Sequence, residues 1–455
     1  MNYTIESANS FIAENKGKVE QKYRLKYHMM PPCGWMNDPN GLIKINDTYH
    51  LFYQFYPYDS KWGPMHWGHF ETKDLISYED KSVAIAPTDQ SVESGCFSGG
   101  AFLDSRELNL IYTRHFEKEN FKSEKIYLAK STNYETFDKC ESIVFDNESL
   151  PKNLSRSDFR DPYLKNINGV NYIFIGGKDV VLNQGVIIVL KSDTLDNFKY
   201  DFTIGPFYEL GDMGECPSLV TIDGKDVIVL SGCNVKEKDN NYKNVNSSVF
   251  VIGKIDYDAK KMDIFNIKEI DKGDTFYAPQ FINNEDGIMI GWLEMWGKPY
   301  PTDLWHHNWV GAYSIPRKIT IVDNDIYQMP IDSIKKYYKN TYKYNNQKVS
   351  KTSDLLIKFA SKFRIEFKSS NGTFVLSNDE YISLDTSNSN NMNPCIRHTN
   401  NKYANGEIRV LLDNSSVEIF VNNGIEAISS RIYLDSDYEL EVTGQVDILV
   451  NEIEV

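Results

Sequence analysis

The sequence predicts an all-β protein, a five-bladed β-propeller followed by a C-terminal β-sandwich, and three observations carry that prediction. Short strand patterns bounded by Asn, Asp and Gly turns dominate the chain, and helical periodicity is scarce. One unit recurs five times within roughly the first 300 residues: a polar motif, a short apolar strand, a turn and a second, strongly apolar strand. After about residue 330 the composition changes, and a different strand pattern takes over.

The five units are NDPNGLIKINDTYHLFYQF from Asn37, SGGAFLDSRELNLIYTRH from Ser98, RDPYLKNINGVNYIFIGGK from Arg160, ECPSLVTIDGKDVIVLSGC from Glu215 and YAPQFINNEDGIMIGWLE from Tyr277. Successive starts lie 55 to 62 residues apart, and a turn signal falls at a matching offset in each: Asn46-Asp47, Ser105-Arg106, Asn168-Gly169, Asp223-Gly224 and Asn284-Glu285. A four-stranded blade needs about 40 residues, so each unit has room for one blade. The rival on pattern alone is an irregular β-sandwich in which the repeats are fortuitous. In a propeller, Asp38, Asp161 and Glu215, each seven or eight residues before its turn, would occupy equivalent places in three blades. Three carboxylates would then ring one end of the central channel.

Residues 20–330 are accordingly assigned to the propeller, 331–345 to a linker and 346–455 to the sandwich. The stretch IDSIKKYYKNTYKYNNQKVSK is basic, Tyr-rich and poor in large aliphatic residues, as a linker with one helical turn would be. Beyond it, RVLLDNSSVEIFVNNGIEAISSRIYL alternates around an Asn-Gly turn, the pattern of an antiparallel sandwich.

Charge and composition exclude whole classes of function. The 455 residues carry a net charge of −15, which repels nucleic acid and anionic membranes but leaves room for a local basic pocket. No run of about 18 apolar residues is present, and the polar N-terminus lacks the features of a signal peptide. The six cysteines form no CxxC pair and no disulfide framework, so reduced thiols in a cytoplasm are expected. Adjacent histidines such as His306 and His307 point apart on a strand, and no metal or other cofactor is expected. A small-molecule partner is expected instead; the oligomeric state is open.

Each carboxylate has an ordinary reading beside the chemical one. Asp38 in Asn37-Asp38-Pro39-Asn40-Gly41 could simply make a turn, and Asp161 beside Arg160 could be a structural ion pair. Glu215, between Gly214 and Cys216-Pro217, reads as partly buried, and desolvation raises the proton affinity of a glutamate, as a general acid needs. Taken together the three fit glycoside hydrolysis, which uses one ionised carboxylate to attack the anomeric carbon and one protonated carboxyl to release the leaving oxygen.

The motifs WMNDPNG, FYQFYP, WGHF, FSGGA, FRDP, ECP and YAPQ, in this order, resemble the serial motifs of glycoside hydrolase family 32, and DNSSVEIFVNNG resembles the signature of its C-terminal sandwich. The likeness runs from about Tyr27 to the C-terminus and is nearest to the sucrose-6-phosphate hydrolase branch. It implies a retaining β-fructofuranosidase with Asp38 as nucleophile, Glu215 as acid/base and Asp161 as the residue that binds fructose hydroxyls. It also implies a fructose pocket of Asn37, Gln54, Trp62, Phe97, Ser98, Arg160, Tyr277 and Trp292, although each aromatic could instead pack in the core, Trp292 above all. The chain departs from the family pattern at Phe70, Gly100, Arg114 and Ser218. Arg114 could offer a guanidinium to a phosphate on the leaving sugar, or be a solvated loop charge. The leaving group stays open between glucose, glucose 6-phosphate and a fructan chain, as does transfer to a sugar in place of water; a propeller that binds fructans without cutting them is the remote alternative.

Overall fold

A computed structural model of the chain describes residues 3–87, 89–119 and 121–455. Five separate antiparallel sheets follow one another along the first 330 residues, which removes the rival sandwich. Their first strands are Gly34–Ile45, Gly95–Asp104, Leu154–Ile167, Met213–Ile222 and Tyr277–Phe281. Each packs beside the first strand of the next blade, and the fifth beside the first, so the ring is closed. The five turns fall where the sequence places them. Asn46, Ser105, Asn168, Asp223 and Asn284 all take positive φ, the left-handed conformation that Asn and Asp tolerate better than most residues.

The first blade has a fifth strand. Trp309–Val310 runs parallel to its innermost strand, with Gly34 opposite Trp309 and Trp35 opposite Val310. The chain therefore returns from the fifth blade to cover the inner edge of the first.

A 3-10 helix, Asp332–Tyr337, leads into Tyr338–Lys343, a strand that pairs with the final strand Glu439–Ile453. In the C-terminal domain Ser353–Ser369 pairs with Gly406–Asp413 through its first half and with Gly372–Asn378 through its second. A register shift between Phe359 and Phe363 separates the halves. One long strand thus serves two layers, the corner device of a sandwich.

The two domains meet through a dry ionic junction. Arg317, fully buried on the fifth blade, donates to Glu418 at 2.6 Å and lies 3.0 Å from Asp271. His28, equally buried, bridges Asp413 and Glu418 with both ring nitrogens at 2.8 Å. The backbone N–H groups of Lys26 and Tyr27 donate to the Asp413 carboxylate. Contact is close enough that a Cβ on Gly273 would lie 1.8 Å from the Ser429 carbonyl oxygen. Ahead of the propeller, Ile5–Asn15 forms a helix capped by Thr4 and Ser7, an element absent from the sequence-based expectation. Among the described residues no helix is long and apolar enough to cross a membrane.

Candidate active site

Every first strand carries a β-bulge at the end where the polar motifs lie. The bulged residues are Asn37-Asp38, Ser98, Asp161-Pro162, Cys216-Pro217 and Ala278-Pro279. A bulge breaks the ladder and re-aims side chains. Asp161, Cys216 and Ala278 also hold positive φ, a conformation that costs about 1–3 kcal/mol for a residue with a side chain. The expected equivalence of the three carboxylates is corrected here: Asp38 and Asp161 sit within bulges, but Glu215 is the last ladder-paired residue before its bulge, opposite Ser231. Proline directly follows Asp38 and Asp161, whereas Cys216 intervenes after Glu215.

The three still converge on one cavity of about 430 Å³. Asp38 accepts from the Ser98 hydroxyl at 2.9 Å and lies 3.7 Å from the Cys216 thiol, while its other oxygen, Oδ1, is buried without a hydrogen-bond partner. The Asp161 carboxylate accepts from the Cys216 backbone N–H at 3.0 Å, and its own N–H donates to Thr113 Oγ1 at 2.9 Å. Glu215 is held on both oxygens, Oε1 by Nη2 and Nε of Arg160 and Oε2 by the Tyr277 hydroxyl.

Three buried carboxylates around one guanidinium do not ionise independently. Burial pushes Asp38 up to about 6, with the charge of Glu215 adding to the shift. Burial also pushes Asp161 up to about 8, against the pull of Arg160 and with the push of Glu215 and Asp38. For Glu215 the expected rise does not hold. Burial raises its proton affinity, but Arg160 and Tyr277 more than offset this and hold it below the ordinary glutamate range. A proton shared among the three is therefore favoured on the aspartates over Glu215.

Most of the expected pocket residues are brought together: Asn37, Gln54, Trp62, Phe97, Ser98 and Arg160 line the cavity with the three acids. Asn37 accepts from Trp35 Nε1 at 2.7 Å, and Gln54 donates to the Cys96 carbonyl at 2.9 Å, so both amides are oriented. Trp62 stands half exposed at the mouth, edge-on to Phe97, which stacks on His115 with centroids 3.9 Å apart. Tyr277, expected in the pocket, is instead buried behind Glu215 and does not line the cavity; its hydroxyl donates to Glu215 Oε2.

Trp292 and Arg114 are not brought there. Trp292 is fully buried against Trp35 and Trp296, and Trp296 takes the lining position instead. Arg114 lies on the opposite side of its strand from His115, with its guanidinium 3.8 Å from the Tyr127 ring centroid and 3.7 Å from Glu93. The sequence reading missed His115, Glu117, Lys122, Glu124, Cys233 and Asn246, all in the cavity wall.

A wider cavity of about 590 Å³ lies at the turn end of the blades, among Asp104, Lys165, Asn171, Asp193 and Asn283; none of Asp38, Asp161 and Glu215 lines it. Among the described residues, the one group spaced to hold a metal ion is His50, His69 and Glu71, within 4.8 Å of one another. It lies on the second and third strands of the first blade, outside the cavity, and Lys81 at 3.4 Å from Glu71 already supplies a cation.

Residues 28–330 match the family model described as the glycosyl hydrolases family 32 N-terminal domain, and residues 335–455 match the model of its C-terminal domain. The chain is 30% identical over 439 residues to sucrose-6-phosphate hydrolase of Bacillus subtilis, covering 90% of this chain and 89% of that one. It is 28% identical over 457 residues to the raffinose invertase of Escherichia coli, covering 90% of each. Among solved structures it is similar to a Bombyx mori family 32 beta-fructofuranosidase, with a TM-score of 0.89 and 28% identity over 99% of this chain and 98% of that one. The sucrose-6-phosphate hydrolase of Lactobacillus gasseri shares the fold, with a TM-score of 0.88 at 23% identity over 99% of each chain.

Proposed function

The chain belongs to glycosyl hydrolases family 32, and from that membership we propose that it is a retaining β-fructofuranosidase acting through Asp38 and Glu215 on sucrose or sucrose 6-phosphate. The observation that carries the reading is the unequal treatment of two carboxylates in one cavity. Asp38 keeps one oxygen free of partners, as a nucleophile requires, while Glu215 is held on both oxygens by proton donors.

In this reading Asp38 Oδ1 attacks the anomeric carbon of the fructosyl unit and forms an ester, while Glu215 gives its proton to the departing glycosidic oxygen. A water then enters, returns a proton to Glu215 and cleaves the ester, so that two inversions give net retention. Asp161 accepts hydrogen bonds from fructose hydroxyls. Those bonds favour its carboxylate form, so a proton that Asp161 shares with Glu215 is driven toward the glutamate as the substrate binds. Asn37, Gln54, Ser98 and Arg160 contribute the remaining polar wall, and Trp62 and Phe97 offer apolar faces to the sugar. A phosphorylated disaccharide does not cross a bilayer unaided, so this reading places the enzyme in the cytoplasm, where its free thiols would stay reduced.

The test compares kcat/KM for sucrose, sucrose 6-phosphate, kestose, inulin and levan, with product stereochemistry read by NMR. Retained β-fructose from one of the two sucroses supports the reading, and inverted product refutes the mechanism. Asp38→Asn should abolish turnover, and Glu215→Ala should spare a β-fructoside with a good leaving group while losing sucrose. Equal losses on both substrates in Glu215→Ala would contradict its role.

A further inference from the structure

Behind Arg160 lies a carboxylate that the mechanism above does not use. Glu124, on the strand Phe121–Ser131 of the second blade, has a side chain 0% exposed. It accepts from the Phe159 backbone N–H at 3.2 Å and from Arg160 Nη1 at 3.3 Å. His115 Nδ1 and Lys122 Nζ each lie 3.2 Å from it, backed by Glu117 at 3.4 Å from His115 and Asp158 at 3.7 Å from Lys122. The Arg160 guanidinium is thus clamped between two carboxylates of different blades, Glu124 on one edge and Glu215 on the other. Apart from Arg160, Glu215 faces Tyr277, the Cys216 and Cys233 thiols and the two aspartates.

We propose that Glu124 is a positioning residue for the proton donor: it anchors the Arg160 guanidinium and takes up part of its charge, so that Glu215 can carry the proton it gives to the leaving sugar. Without Glu124 the whole positive charge would bear on Glu215 and favour its carboxylate, a form that cannot act as an acid. The arrangement also fixes the plane of the guanidinium, because Nη1 is engaged from behind while Nε and Nη2 point forward. This inference rests on the acid role proposed for Glu215.

The experiment follows kcat/KM against pH for sucrose and for 4-nitrophenyl β-fructofuranoside, whose leaving group needs little protonation. In Glu124→Gln, a substitution of nearly equal shape, the basic limb for sucrose is expected to move down by about 1 pH unit. Just above the limb, kcat/KM for sucrose then falls about tenfold while the aryl fructoside changes less than about twofold. Lys122→Met, at a side chain 32% exposed, removes a cation that competes for Glu124 and should move the limb the other way. It decides the matter alone if Glu124→Gln fails to fold. An unmoved limb, a shift of the wrong sign, or parallel loss on both substrates overturns the inference. Wild-type protein that releases no fructose from any β-fructoside overturns the enzyme reading itself, before any variant is made.

Discussion

Replacing His28 by Gln tests the junction between the domains. His28 is fully buried; burial alone would lower its proton affinity, but its bonds to Asp413 and Glu418 raise it from 6.5 to about 9. A histidine raised in the folded state contributes stability that is fully present below the unfolded value and is lost as pH rises through the folded one. The difference of about 2.5 pH units corresponds to about 3.4 kcal/mol at 1.36 kcal/mol per unit. At about 2.1 cal/mol/K per residue over the 455 residues, that is a fall in Tm of about 3–4 °C when both domains unfold together. Calorimetric melts of wild type and His28→Gln between pH 5.5 and 9.5 read the effect. The gap should be full near pH 6 and close progressively between 6.5 and 9. Groups such as Asp161 that titrate in the same window are common to both proteins and cancel in the difference. A gap independent of pH, or one that widens toward pH 9, would refute the reasoning, because a pure packing loss has no reason to follow the protonation of one imidazole.

Two further outcomes follow from the cavity and its surroundings. Asp161→Asn should abolish turnover yet raise Tm at pH 8 more than at pH 5: a carboxyl raised from 3.8 to about 8 by burial withdraws stability as pH climbs through that interval, and an amide does not. An equal Tm change at both pH values would count against that linkage. Arg114→Ala should leave the ratio of kcat/KM for sucrose 6-phosphate and sucrose within about twofold while lowering stability by about 1 kcal/mol through loss of the Tyr127 face; a ratio that collapses would return Arg114 to the leaving-group site.

The architecture was legible because its signals are local and repeated. A two-residue turn with a left-handed first residue is written in two letters, and five such turns at similar spacing announce five blades. Asp38 and Asp161 were found because proline follows each in a short motif. The slip at Glu215 came from counting residues along a strand that is not regular: a bulge changes register without leaving a mark in composition. The parity of strand Glu107–Lys118 held a usable signal. Leu108, Leu110 and Tyr112 form one face, so Arg114 belongs with them and His115 belongs with Thr113 on the other. Glu124 and Lys122 were illegible for a different reason. They begin a polar strand that reads as solvated, and only the approach of Arg160 from the next blade gives Glu124 a task. The N-terminal helix did carry a signal, with Thr4 and Ser7 as a cap and Ile5, Ala8, Phe11 and Ile12 at helical spacing.

The way distant parts of the chain are sewn together sets the order in which the structure can be completed during synthesis. The strand that bears Asp38 has its inner edge completed by Trp309–Val310, and the segment just ahead of it is gripped by Asp413, 386 residues beyond Tyr27. At about 5–20 residues per second a ribosome takes roughly 20–80 s to cover that interval. Until Trp309–Val310 emerge the blade carrying Asp38 has an open edge, and until Asp413 emerges the segment ahead of it lacks its partner. Blades two to four are built from neighbouring sequence and can form as they appear, whereas the first waits for Trp309–Val310 to complete its inner edge. A chain cut after the fifth blade would hold all three carboxylates but leave the Lys26–Tyr27 segment without Asp413.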